Sequence, residues 1–478
     1  MMLMFNGHPL YDIGVATITA FANKKRPSEV TEEDLDKIAD FMEKQYTVDP
    51  LKSFLTVAFP NSGFTQPAYN KQPEKRLEYA RVVLRSYKKD SPVLKEKCVF
   101  TGAPAVGIAF SETLPPGRAY RQHIPLITGE DVINFHPGGN AGLPVSGVAM
   151  LCIQAFPLGC AKCAGKLLAV HSDNTDVLLY FAKEFLANNR ANLAFAQASG
   201  SSKMPEFVFS QRTLLINTLL KAMEEINLFK EDRDETFSVT AYHLSNSGQS
   251  PSLDIYHLPL EMVTFLKKAR SADYRDEWQR IVKKAWQINT ESPKRNYLYE
   301  DIFHLPENAK EFLQVYFLRM SLKWAKKDDP RGGYSIQDDL DMVSWRLTEL
   351  FLREVMEMNK ERIEQIRLLG DRLASYVKEN NDKGFFRNFF VEQRGYDYLR
   401  SHLLKANLRQ VKQGKAPLLN FDPYLEVFEE GEELAYRDWR LARDLLLIRM
   451  IERLYEQGWL GSNQDTLSDL EENEKEDI

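Results

Sequence analysis

The chain is poor in the residues that usually announce chemistry. It has four cysteines and eight histidines in 478 residues. Four cysteines in so long a chain make no disulfide framework, so a reducing cytoplasm is the expected setting. No histidine pair stands in a His-Glu-x-x-His pattern, no Gly-x-Ser-x-Gly elbow occurs, and neither nucleotide-binding glycine fingerprint is present. These absences argue against the common hydrolases and against a P-loop or dinucleotide enzyme. A metal-dependent nuclease stays open as an alternative, because acidic metal sites need no contiguous motif. Long apolar runs are missing too. The stretch around Gly147 to Gly159 is interrupted by Gln154 and Pro157 and is too short to cross a bilayer. The opening residues Met1-Met-Leu-Met-Phe-Asn-Gly-His-Pro9 lack the basic and apolar regions of a signal peptide. A soluble cytoplasmic protein with no membrane partner is expected.

Bulk positive charge is also lacking: the formal net charge is −6. Its location matters. Residues 465–478 hold seven acidic residues and one lysine, so this tail alone carries −6 and the rest of the chain is nearly neutral. The tail reads as an acidic disordered end. Contact with a polyanion therefore has to come from local basic surfaces.

The texture predicts an α+β fold that is predominantly helical: a mixed N-terminal region with irregular β structure and loops, then a C-terminal helical bundle. Residues 1 to about 58 read as helices, with Thr31-Glu-Glu-Asp34 as an N-cap followed by Leu35, Ile38, Ala39 and Met42 at helical spacing. From Pro60 to about Pro157, frequent Pro and Gly predict short strands and exposed loops. Helices are expected over Val177–Asn189 and Leu214–Ile226, and Thr236 to Leu244 alternates like a strand. Lys326-Lys-Asp-Asp-Pro-Arg-Gly-Gly-Tyr334 reads as a linker between an N-terminal domain, 1–325, and a bundle, 335–464. Three long helices are expected in the bundle. One runs from Ser335 to about Asn380, one through Tyr396 and Leu408, and one through Leu441 and Leu454.

Three polar loops suit the reading of base edges in a DNA groove. Asn61, Ser62 and Gln66 belong to the first; Asn134, His136 and Asn140 to the second, which is rich in glycine; Asn246 and Gln249 to the third. Each is also an ordinary turn composition. Backbone contacts are expected from Lys24, Lys25 and Arg26, from Lys267, Lys268 and Arg270, and from two helical stripes. The stripes are Lys405, Arg409 and Lys412, then Arg437, Arg440 and Arg443. The segments Lys71–Lys97 and Lys267–Arg295 each hold nine basic residues against four acidic ones, with Tyr79, Tyr87, Trp278 and Trp286 among them.

Cys160-Ala-Lys-Cys163 is a zinc-knuckle-like pair, and Cys98 stands upstream with Thr101 where a second thiolate would be. Cys98, Cys160 and Cys163 could contribute to a zinc site completed by Cys152 or by His123, His136 or His171. A broken knuckle whose cysteines pack as small apolar groups is the favoured reading, so no cofactor is expected.

Several stretches, in order, resemble the CXXC–CXXC family of CRISPR Cascade large subunits of type I-B. They are Phe5 to Gly14, Cys98-Val-Phe-Thr-Gly102, Asn134-Phe-His-Pro137, Gln154 to Cys163, Tyr242 to Gln249 and Asp254-Ile-Tyr-His-Leu-Pro259. The broken first CxxC departs from the family pattern. The resemblance implies a non-catalytic subunit that recognises a protospacer-adjacent motif on target duplex DNA and helps open it for R-loop formation. It implies guide crRNA, target DNA, the displaced single strand, and the backbone, guide-end and small subunits of the complex as partners. A recruited helicase-nuclease does the cutting. The helical domain would contact the displaced strand, and in some relatives it is also translated separately as a small subunit. Internal starts here would be Met342, Met356 or Met358, of which packing favours Met342. A helical scaffold without nucleic acid is a second alternative.

Overall fold

A computed structural model describes residues 3–110, 112, 114–127, 141–226, 236–246, 251–289, 291–390, 395–430, 434–435, 438–463 and 466–467. The fold is α+β and predominantly helical, with strands confined to small antiparallel sheets. It divides into two compact units, Met1–Leu260 with Glu291–Lys294, and Glu261–Thr290 with Arg295–Ile478.

The first unit is built around helix α1, Pro9–Phe21, which is buried on every side from Tyr11 to Thr19. An apolar helix with no polar face has to be a core helix. Its two threonines bond back to the turn before them, Thr17 Oγ1 to Ile13 O at 2.6 Å and Thr19 Oγ1 to Val15 O at 2.7 Å, so no hydroxyl is stranded. Helix α2, Glu32–Tyr46, starts at the Thr31 N-cap expected from the sequence, and the structure closes it as a capping box: Asp34 N donates to Thr31 Oγ1, and the Asp34 carboxylate accepts from Thr31 N. Helices α3, Pro73–Arg85, α4, Gly147–Ala155, α5, Thr175–Ala198, and α6, Gln211–Glu225, complete the helical layer. α1 packs on α4 and α5.

Beside them lies a four-stranded antiparallel sheet of β1, Ala161–Cys163, β2, Lys166–Ser172, β3, Val239–Ser245, and β4, Ser252–Leu258, in that order. β1 and β2 are joined by Ala164 and Gly165, both with positive φ (50° and 76°), the backbone a tight hairpin needs. β3 is the strand that the alternation from Thr236 predicted. The strands among the described residues of 60–157 form short two-stranded ladders, as the texture suggested, and the span also holds α3 and α4.

The second unit contains α7, Leu260–Ala269, α8, Arg275–Lys284, α9, Trp345–Glu354, α10, Lys360–Asn380, α11, Tyr396–Lys412, α12, Phe421–Phe428, and α13, Trp439–Glu456. α10 runs along α13, and α12 and α9 pack against both, forming the expected helical bundle. Phe351 on α9 stacks on Phe312 at 5.3 Å and meets Phe265 and Phe317.

Three expectations about this part are corrected. The 326–334 stretch is not a loose linker. Pro330–Gly333 forms a 3-10 turn, and Arg331 is only 4% exposed. Its guanidinium is held by Asp329 at 2.6–3.1 Å and by Asp301, which fastens the segment into the second unit. The contacts divide the chain near Leu260 instead. The long helix from Ser335 is two helices, because Glu357 takes φ 50° and Asn359 starts α10 by accepting from Glu361 N at 2.7 Å. Of the acidic tail, Thr466 and Leu467 are buried, and the remainder lies outside the described residues.

α1 and α4 approach so closely that a Cβ on Gly14 would stand 2.0 Å from the Cys152 carbonyl oxygen. Gly14→Ala should therefore lower stability by about 3 kcal/mol or more, read as a drop in the denaturant midpoint of the full chain. An unchanged midpoint would mean that the two helices are farther apart.

Candidate nucleic-acid interface

The sequence-predicted residues scatter over both units, and their burial separates those that can reach a ligand from those that cannot. Asn246 is the clearest case. It is 0% exposed and follows the end of β3. Its Nδ2 donates to Ala58 O at 2.9 Å and Arg121 O at 3.1 Å, while its Oδ1 accepts from Arg121 Nε and Leu126 N. Its backbone N donates to Val57 O, and its O accepts from Arg121 Nη2 at 2.7 Å. It pins two loops to the sheet and has nothing left for a base edge.

Ser62 is corrected for the same reason. It is fully buried, with its Oγ 3.3 Å from Thr65 Oγ1. The turn it belongs to is pressed on Tyr79: a Cβ at Gly63 would lie 2.2 Å from that ring. Asn61 stays exposed in left-handed backbone, φ 56°, and Gln66 is half-buried with its carbonyl accepting from Arg76. Asn134, His136, Asn140 and Gln249 lie outside the described residues, as does Arg437.

The cysteines do not converge. Among the described residues, no group of three His, Cys, Asp or Glu side chains could hold a metal ion. Cys160 Sγ donates to Phe156 O at 3.2 Å, and burial pushes the Cys163 thiol up to about 12. Thiols held protonated in this way pack as apolar groups. Thr101 contacts the Ser146 hydroxyl at 3.2 Å. His123 sits among Tyr79, Phe110 and Tyr120, with its Nε2 on Phe110 O at 3.2 Å, and His171 Nε2 lies 3.1 Å from Asp12 Oδ2.

Asp12 was not anticipated, although it lies in the Phe5–Gly14 stretch. Its buried carboxylate accepts from Asn6 N and Gly7 N, each at 2.8 Å, besides its contact with His171. The segment before α1 is thereby folded back so that Asn6 Nδ2 donates to Phe100 O at 2.5 Å and His8 packs edge-on to Phe100. Two stretches far apart in sequence thus meet beside a cavity of about 420 Å³ lined by Phe5, Asn6, Tyr87, Phe100, Thr101 and Ser146. Lys88 and Lys89 stand at its wall.

Much of the basic charge is already spent. In Lys71–Lys97, Arg76 is buried, and Arg81, Arg85, Lys88 and Lys89 pair with Glu43, Asp40, Asp36 and Glu32 on α2. Arg443 is also corrected. It is 4% exposed, and it donates to Asp444 through Nε at 2.9 Å and Nη2 at 2.6 Å, so it cannot meet a strand. Arg409 bonds Asp382 and Tyr376, and Lys268 bonds Glu354 at 2.8 Å, though both cations keep exposed surface. Lys25, Arg26, Lys405, Lys412 and Arg440 are exposed, with Arg440 over the Trp439 ring. Lys24 is half-buried and 3.9 Å from Asp34. Lys267 and Arg270 are half-buried on and just after α7.

α11 also presents Leu404, Leu408 and Val411, each about half exposed, at i, i+4 and i+7. The same helix buries Leu399, Leu403 and Ala406, so it carries two apolar faces where an amphipathic helix carries one. No helix among the described residues is long and apolar enough to cross a membrane. No protein-family model and no curated protein matches this sequence.

Asn246→Ala would leave several partners unanswered, at about 1–3 kcal/mol each. The expected result is a lower unfolding midpoint with no selective change among DNA sequences. A selective change at an unaltered midpoint would restore Asn246 as a reader. His123 gives a pH signature. Burial lowers its folded value to about 4, against about 6.5 when unfolded. Folding excludes the proton, so this contribution is full above pH ~6.5 and fades as pH falls towards ~4. Between pH ~7 and ~5 the parent should lose roughly 2 kcal/mol more stability than His123→Gln, read by denaturant titration.

Proposed function

We infer that the chain is a non-catalytic, nucleic-acid-binding subunit of a Cascade-type complex, working as its large subunit. The observation that carries this reading is the ordered set of stretches resembling that family, two of which, Phe5–Gly14 and Cys98–Gly102, meet at one cavity wall. In this reading the first unit engages the flanking motif and the guide end, and the helical bundle follows the displaced strand. Guide pairing supplies sequence, while the protein reads a short duplex motif and holds the strands. Asn61 and Gln66 are the reader candidates that the described residues leave accessible.

Two further features support the reading. Lys405 and Lys412 lie exposed on one helix, where phosphate contacts would be independent of sequence. The Leu404–Leu408–Val411 row beside them suits a helical protein partner, as expected of a chain that works inside an assembly. Cutting would then be done by a recruited helicase-nuclease.

The full chain should bind single-stranded DNA with affinity that falls steeply with salt, and it should leave labelled single- and double-stranded DNA intact in magnesium or manganese. Lys405→Glu with Lys412→Glu should weaken binding on every sequence alike and flatten the salt dependence. Metal-dependent products that persist through stringent repurification would point to the nuclease alternative. No retention on DNA at low salt would point to the scaffold.

A further inference from the structure

Trp324 is 66% exposed, unusually open for the largest side chain in the chain. It lies in Leu322-Lys-Trp-Ala-Lys-Lys327, where Lys323, Lys326 and Lys327 are exposed as well. Two observations show that the ring is mounted on a fixed support. The Arg331 guanidinium stands 5.6 Å from the Trp324 ring centre and 4.7 Å from that of Tyr297, between two aromatics. Arg331 cannot swing away, because Asp329 takes its Nε and Nη2 and Asp301 takes its Nη1. The backbone around it is tied down by Leu322 N donating to Arg331 O at 3.0 Å and Ile288 N donating to Asp328 O at 3.0 Å.

The charges are arranged to match. Asp329 and Asp301 are engaged inward on Arg331, and the half-buried Asp328 accepts from the Tyr297 hydroxyl, so the fully exposed charges of this segment are the lysines. Arg295, exposed two residues before Tyr297, adds to them. Lys326 and Lys327 have no ion-pair partner among the described residues. A ligand that fits must offer a flat apolar ring to an indole and negative charge to the surrounding cations. Single-stranded nucleic acid does both at every nucleotide. Duplex DNA has its base faces already stacked, and an acidic peptide offers no ring at each repeat.

We propose that Trp324 is a base-stacking platform for single-stranded nucleic acid, with Lys326 and Lys327 holding the phosphates on either side. This rests on the nucleic-acid-binding reading above and deepens it. It names a contact just before the stretch, from Lys326, whose sequence reads as a linker.

The test uses the full chain and a fluorescein-labelled oligo-dT of about twenty nucleotides, with affinity measured by anisotropy at about 50 and about 200 mM salt. Trp324→Ala should weaken binding about tenfold with its salt slope unchanged, and Trp324→Phe should stay within about threefold of the parent. Lys326→Glu with Lys327→Glu should weaken binding and flatten the slope. An abasic strand of equal length should bind the parent and Trp324→Ala alike. Thermal midpoints of the variants should match the parent, since the ring is exposed; if Trp324→Ala is misfolded, Trp324→Gln against Trp324→Phe gives the same comparison. Equal affinity of parent, Trp324→Ala and Trp324→Gln for oligo-dT overturns the platform and leaves the nucleic-acid reading standing. A parent that does not bind oligo-dT at the lower salt overturns both. Displacement of oligo-dT by polyglutamate at equal charge overturns the platform in favour of an acidic protein partner.

Discussion

Burying a charge or an amide without a partner costs a large share of the roughly 5–15 kcal/mol by which a folded chain is stable. In this protein that constraint decides where whole segments go. Asp12 draws the residues before α1 back onto the loop containing Phe100, because its carboxylate is buried and must collect donors. Asn246 fastens two loops to the end of a strand. Arg319, fully buried, holds Asp339 through two nitrogens at 2.8 and 3.0 Å, and Lys284 reaches the same carboxylate. Arg331 with Asp329 and Asp301, and Arg443 with Asp444, repeat the device. Such pairs add little net stability over apolar packing, but removing one partner is severe, and that asymmetry fixes the arrangement.

The same accounting explains what was legible in the sequence. Periodicity marked the helices at Glu32–Tyr46, Thr175–Ala198, Gln211–Glu225, Tyr396–Lys412 and Trp439–Glu456, because each has a buried stripe at helical spacing. The Thr31 cap was readable because a capping box is local. What could not be read were partners distant in sequence. Nothing local to Lys326–Tyr334 says that Arg331 will meet Asp301 thirty residues earlier, so Pro, Gly and charge read as a linker. Nothing local to Arg443 says that its helix is buried on every side from Leu441 to Ile448. The break after α9 turns on a single left-handed residue, Glu357, which a pattern of apolar residues does not record.

For the candidate site, composition overstated the basic surfaces and understated the aromatic one. The excess of lysine and arginine in 71–97 is answered across space by the acidic face of α2. Trp324 was not legible as a surface residue, because sequence alone does not tell an exposed tryptophan from a core one. Its signal was present nonetheless: an aromatic residue among three lysines, Lys323, Lys326 and Lys327. Likewise Leu408 belongs to the apolar pattern that marks α11, yet it is exposed beside Leu404 and Val411, because α11 buries a different face.

The interruption between α9 and α10 has a genetic side. Met356 and Met358 lie inside it, and Asn359 caps the helix that follows without help from anything before it. A polypeptide begun at Met358 would enter α10 with its first turn already satisfied, and no helix would be cut. One begun at Met342 would also carry α9, whose Phe351 belongs to an aromatic cluster with Phe265, Phe312 and Phe317, all upstream of the start. Helix continuity, which favoured the earlier methionine, gives way to completeness of the core. The joint after α9 is therefore where an internal start interrupts no helix, at the cost of the packing of α9 on α10 and α13.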